Sequence, residues 1–335
     1  MGRRSPLWLP SAAVISSSIG LFVACSEPAP VSTLPVSEDD EEDAGSTKKK
    51  DSGKTGGDGA DPPLPDGGKP PGRIYAHDKH TLYRYDPLAN TLVKVGAFDC
   101  VPQSGSGSGS TVDDDAVIDL ALDRTGQMYA TTYWRFIKVD ATSGACQVVK
   151  TETQANMYPN SLSFVPLGTV DPTQEALVGY AFDNFDDATI YTRIDLATGD
   201  MDDGVPTRQL NPNPPLGGVE FGISGDFISL QRTGGKTYAA VKQVTGDVGA
   251  GNDLLAEIDP TTGTLKEIIG DTGQQGFYGV GFWAGKAYGF TSSGTIYEID
   301  VTDGSTKAVF EAKDENGDPI QWYGAGVTTD SPTAP

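Results

Sequence analysis

Beyond residue 73 the apolar positions fall in short runs broken by Gly, Asp, Asn and Pro, the spacing of strands joined by tight turns rather than of helices. One pattern recurs five times: "LYRYDPLANTLVKV" from Leu82, "FIKVDATSGACQVV" from Phe136, "IYTRIDLATGDMDDG" from Ile190, "LLAEIDPTTGTLKEI" from Leu254 and "IYEIDVTDGSTKAVF" from Ile296. Each copy reads as strand, turn, strand. In each, an Asp (Asp86, Asp140, Asp195, Asp259, Asp300) is followed four residues later by Asn90, Gly144, Gly199, Gly263 or Gly304. An Asp side chain accepts from backbone N–H groups just ahead of it, and Gly or Asn tolerates the positive φ that closes a short hairpin loop.

A hairpin alone cannot bury its apolar face, so the flanking pattern matters. Upstream of each Asp stands a Tyr followed by a small residue: Tyr75, Tyr129, Tyr180, Tyr238 and Tyr288, at separations of 11, 11, 15, 21 and 12 residues. Before four of these lies a further apolar strand, in "VIDLALD", "SLSFVP", "VEFGIS" and "YGVGFWAG". The first copy lacks one, and the missing strand matches "WYGAGVTT" from Trp322 at the far end of the chain. A four-stranded unit repeated roughly every 40 to 65 residues, with the last strand completing the first unit, is the requirement of a closed ring of sheets. The reading is all-β: a five-bladed β-propeller over residues 73–335, 263 residues or about 53 per blade. The alternative is a β-sandwich.

The "IDPTTG" and "IDLATG" turns resemble those of bacterial extracytoplasmic propellers of the YVTN and PQQ-like repeat type. The resemblance covers the whole C-terminal region and implies the fold; such propellers include enzymes, scaffolds and binding proteins, so it leaves the function open. The chain lacks the tryptophan docking pattern of PQQ enzymes and the tryptophan-aspartate signature of WD40 repeats.

The front of the chain is of another kind. Residues 1–24 carry Arg3 and Arg4 and then an apolar run, the layout of an export signal too short for a stable spanning helix. "LFVAC" resembles a bacterial lipobox, which implies diacylglycerol on Cys25, a membrane partner through that anchor, and, with Ser26 rather than Asp after it, the outer membrane. An ordinary signal peptide is the other reading. Residues 25–72 have almost no large apolar side chain and carry charge in blocks, so they predict a disordered tether.

The net charge of −22 argues against nucleic-acid or anionic-membrane binding through a basic face, because phosphates are repelled. Besides Cys25 there are two cysteines, Cys100 and Cys146, which in an exported chain suggest a disulfide. Against it, Cys146 follows the tight turn of its unit while Cys100 lies past the opposite end of an outer strand.

Candidate chemistry gathers where loops vary most, at 99–116, 151–160, 204–217, 239–253 and 269–277, all at one mouth of the ring. Aligning the innermost strands puts Asp119, Ser161, Glu220, Gly279 and Gly324 at one level, two carboxylates and three small residues. Such a ring can take a polar ligand or a cation, or do acid–base work; equally, the carboxylates face channel water. Phe277/Tyr278 and Trp322/Tyr323 supply aromatic faces beside it, with Tyr278 and Tyr323 as ligand contacts, or else pack between blades. His77 and His80 share one short loop, read as solvated or as a metal pair. "DENGDP" from Asp314 begins like a calcium loop, but Pro319 and Ala325 stand where the turn Gly and bidentate Glu belong, so it reads as a turn. Asp113–Asp115 and Asp186–Asp187 admit weak Ca²⁺ contacts or are solvated loop ends; no cofactor is called for. The expectation is a monomeric, lipid-anchored module that binds a protein, peptide or glycan, with a hydrolase or cyclase or a structural envelope component as alternatives.

Overall fold

The computed structural model describes residues 74–332, apart from 104–108, 110, 184–186, 203–208, 232–235 and 245–250. The expectations for residues 1–72, Cys25 among them, and for Asp186 lie outside the described residues.

Five antiparallel sheets form the molecule. Blade one holds β1 (Ile74–His77), β2 (Thr81–Asp86) and β3 (Thr91–Ala97); blade two β4 (Val117–Leu122), β5 (Met128–Thr132), β6 (Arg135–Val139) and β7 (Cys146–Thr151); blade three β8 (Ser161–Val165), β9 (Ala176–Asp183) and β10 (Asp187–Ile194). Blade four holds β11 (Phe221–Ser229), β12 (Thr237–Gln243), β13 (Leu254–Asp259) and β14 (Thr264–Asp271), and blade five β15 (Phe277–Trp283), β16 (Lys286–Thr291), β17 (Thr295–Ile299) and β18 (Thr306–Glu311). The last strand, β19 (Gly324–Gly326), pairs with β1 and completes blade one in the order β19-β1-β2-β3. The inner strands β4, β8, β11, β15 and β19 touch in that cyclic order, so the ring is closed and the fold is a five-bladed β-propeller.

Blade three departs from the expected four strands. Beyond β10 the described residues form two isolated bridges, Ile194 with Met201 and Ile190 with Gln209.

Burial falls from the axis outward: β4 and β8 are buried at every position, whereas β3, β7 and β18 alternate intermediate and exposed ones. The apolar clusters lie between blades, where neighbouring sheets face each other. The five Asp turns sit in these seams. Each Asp Oδ1 accepts backbone N–H groups two or three residues ahead, and the residue four on has φ between 50° and 79°. Each turn also rests on the preceding blade. The Asn90 side chain donates to Val309 O of blade five (3.1 Å), Gly144 abuts Gly96 of blade one, and Tyr158 Oη ahead of blade three donates to Gly199 O (3.1 Å). Tyr180 Oη of blade three donates to Gly263 O (2.6 Å), and Gly304 abuts Gly270 of blade four.

That overlap resolves the objection to a disulfide. The end of β3 leans over the blade-two turn, so Cys100 and Cys146 are bonded with Cα atoms 5.4 Å apart, and Cys146 N donates to Asp99 Oδ1 (2.8 Å). At the face opposite the variable loops, the segment after β19 crosses beneath the ring: Thr329 Oγ1 donates to Glu175 of blade three, Gln231 N of blade four to Thr329 O (3.0 Å), and Ala284 N of blade five to Pro332 O (2.8 Å).

Candidate functional site

Cross-strand register fixes which residues share a level. Leu120 pairs with Ala130, Leu162 with Gly179, Phe227 with Ala239, Val280 with Gly289 and Ala325 with Ala76, one equivalent pair per blade. The residues just before these on the inner strands are Asp119, Ser161, Asp226, Gly279 and Gly324. Four of the five expected residues are therefore at the level, and Glu220 is not: the second carboxylate is Asp226, six residues further on (220 to 226). In blade four Ile223 faces Val241 and Phe227 faces Ala239, so Ser224, Gly225 and Asp226 stand opposite Ala240 alone. This bulge displaces Glu220 onto the exposed approach to β11. The same register corrects blade three, where Val178, not Tyr180, takes the place of Tyr75, Tyr129, Tyr238 and Tyr288.

The two aspartates are not open to a ligand. Both are fully buried. An inner strand has an unpaired edge facing the axis, and its N–H groups need acceptors. Asp119 supplies two: Leu120 N donates to Oδ1 (2.8 Å) and Leu162 N of blade three to Oδ2 (2.5 Å). Asp226 supplies the rest, from Phe227 N to Oδ1 (2.6 Å), from Val280 N of blade five to Oδ2 (3.0 Å), and from Ala325 N of blade one. Five equivalent strand N–H groups, one per blade, thus converge on two carboxyl groups. The two also interact with each other: burial pushes both pKa values well up and the Asp226 charge raises Asp119 further, so the pair retains a proton that exposed carboxylates would release. The pair closes the channel across its width. Two of the three companions have no room for a side chain: a Cβ on Gly324 would overlap Asp119 Oδ1 and His77 Nε2, and one on Gly279 would overlap Ala325 and Gly324 of blade one.

His77 also departs from expectation. It is fully buried on β1, donates from Nδ1 to Asp78 O (2.8 Å), and has its pKa lowered to about 4 by burial, so it is neutral and stands apart from a solvated loop. Asp115 is equally buried: it receives Thr132 Oγ1 (2.7 Å) and pairs with Arg135, which makes it a structural anion. The Asp314 segment is a turn, with Asn316 N and Asp318 N donating to Asp314 Oδ1.

Above the carboxyl pair the channel opens into a cavity of about 450 Å³ lined by Ile118, Tyr133, Asn156, Asn160, Ser224, Gly225, Tyr278 and Tyr323. Its floor comes from the positions just before the shared level. In β4 and β15 Ile118 and Tyr278 are single-residue bulges, as Ser224 and Gly225 are within the longer bulge of β11, so the ladder leaves these residues facing the opening. Asn160 and Tyr323 hold the same position in blades three and one, fixed by Asn160 N to Tyr180 O (3.2 Å) and Tyr323 N to His77 O (2.9 Å). The blade-two loops add Tyr133 and Asn156, joined by Asn156 N to Tyr133 O (2.8 Å). The expected aromatic pairs are divided: Phe277 and Trp322 are buried, while Tyr278, 42% exposed, and Tyr323 line the cavity.

No family model and no curated protein sequence matches this chain. Solved structures of similar architecture include the nidogen/laminin complex (TM-score 0.42, 10% identity, 76% of this chain and 97% of that one) and the Dos1 propeller (0.33, 10%, 73% and 58%). Another is the quinohemoprotein alcohol dehydrogenase from Comamonas testosteroni (0.32, 14%, 75% and 44%). The likeness stops at architecture. What the cavity can do rests on its own chemistry: among the described residues no charged side chain lines it, and two buried polar atoms at it, Asn160 Oδ1 and Ser224 Oγ, have no hydrogen-bond partner.

Proposed function

We propose that this chain is a lipid-anchored extracytoplasmic binding module whose ligand, presented by a protein, peptide or glycan, enters the cavity at the channel mouth. The observation that carries this reading is the blind cavity itself. It combines aromatic faces with unpartnered polar atoms on a floor made rigid by the carboxyl pair, the arrangement of a preformed ligand site. The lipobox-like "LFVAC" and the charge-blocked segment after it support the anchor.

Two arms test the reading. Fatty-acid labelling of the intact chain is expected to mark wild type and spare Cys25→Ala; equal labelling refutes the anchor. Detergent-solubilised envelopes passed over the intact chain are expected to leave a ligand on wild type that Tyr278→Ala fails to retain. Identical retention by both proteins removes the cavity from the function.

A further inference from the structure

The cavity's side chains narrow the ligand class. A charged ligand needs a counter-charge, and the lining consists of tyrosine hydroxyls, two asparagine amides, a serine hydroxyl, Ile118 and Gly225. An aromatic cage for an alkylammonium group needs several free ring faces. Here Lys79 Nζ already lies over the Tyr323 ring, 5.5 Å from its centre, and Gly109 lies against the ring of Tyr133, which leaves Tyr278 as the open face. An extended peptide needs a free row of backbone groups, and the inward N–H groups beneath the floor are all held by Asp119 and Asp226. The groups that lack partners are an amide oxygen, Asn160 Oδ1, which calls for a donor, and a hydroxyl, Ser224 Oγ, which both gives and takes. An uncharged ring with an apolar face and hydroxyls around its edge meets all of these demands at once.

On these grounds, and resting on the binding reading above, we infer that the cavity receives the uncharged end of an oligosaccharide. A sugar ring stacks on Tyr278, its hydroxyls bond Asn160 and Ser224, and Tyr133, Asn156 and Tyr323 ring the opening. Tyr133 and Tyr323 are braced before the ligand arrives, which limits the ordering cost of binding.

The test titrates the intact chain in detergent with neutral trisaccharides of glucose, mannose, galactose and N-acetylglucosamine, and with trialanine and tetramethylammonium as controls. Saturation-transfer NMR reports binding. At least one neutral trisaccharide is expected to bind, with affinity unchanged across a roughly tenfold range of salt. Tyr278→Ala is expected to weaken it about tenfold, and Tyr278→Phe, which keeps the stacking face, only about twofold. Ser224→Ala is expected to weaken it about fivefold with an unaltered melt. If only trialanine or tetramethylammonium binds, and Tyr278→Ala abolishes that, the sugar assignment fails while the binding reading stands. If no trisaccharide binds at about 10 mM, the assignment fails as well. Sugar binding that neither Tyr278→Ala nor Ser224→Ala affects, in variants that melt like wild type, places the sugar elsewhere and overturns the inference. Should Tyr278→Ala fail to fold, the ring resonances of Tyr133, Tyr278 and Tyr323 in wild type decide: sugar that leaves them unmoved overturns it.

Discussion

Asp226 accepts N–H groups from three different blades, and that load sets what a substitution there costs. An amide at this position turns a donor toward one of those N–H groups, so Asp226→Asn is expected to lose at least about 2 kcal/mol, the scale of a bond to a charged acceptor. Asp119→Asn keeps a donor toward Asp226 and is expected to cost less. It also removes a pH signature. The Asp119 pKa is raised in the fold above its ordinary 3.8, so the native state holds a proton that the unfolded chain releases. Its stabilising contribution is full below that value and is lost as pH rises toward the folded pKa. The stability gap between wild type and Asp119→Asn should therefore be widest in acid and narrow as pH rises, measured by denaturant unfolding at a series of pH values. A gap that does not change with pH assigns the proton to another group.

At the scale of the element, the Asp turns hold neighbouring blades together as well as closing hairpins. Gly263 combines φ of 73° with a position where a Cβ would overlap the Tyr191 ring, while Gly273, at 68°, has open space around it. Gly273→Ala is expected to cost only the left-handed backbone penalty of about 1–2 kcal/mol, and Gly263→Ala clearly more because the seam must also move. Equal losses in thermal unfolding would mean that the turn does not support the seam. These turns were legible in the sequence because their Asp and Gly fix the backbone locally. The closing strand was legible because "WYGAGV" repeats "FYGVGF". The misplaced carboxylate has a physical source: bulges add residues without disturbing the apolar alternation. "VEFGIS" and "GDFISL" follow one another directly, and both read as an inner strand, so Glu220 was aligned where Asp226 stands. In blade three the small residue was the better guide: Gly179 occupies the place of Ala76, Ala130, Ala239 and Gly289, and the Tyr in front of it is replaced by Val178. Cys100 and Cys146 looked too far apart because the lean of one blade over the next leaves no trace in a linear reading.

For the whole molecule, closure is the property to test. Removing residues 320–335 takes away β19, exposes strand edges on both sides of the gap and strips Ala325 from Asp226, so the shortened chain is expected to aggregate. Removing 26–70, which offers little apolar surface to bury, is expected to leave the melting transition in place. A monomeric 1–319 chain with an unchanged cooperative melt would mean that the ring does not depend on its last strand. The same closure gives the molecule two unlike sides. β1 begins at Ile74 beside Tyr85, at the Asp-turn end of its sheet, and the final residues to Pro332 run beneath that same side. Both ends of the described chain thus leave from the face opposite the cavity, and among the described residues the mouth is bordered by internal loops. Insertions can accumulate around the opening without touching the strand pairing by which Ile74–His77 and Gly324–Gly326 close the ring.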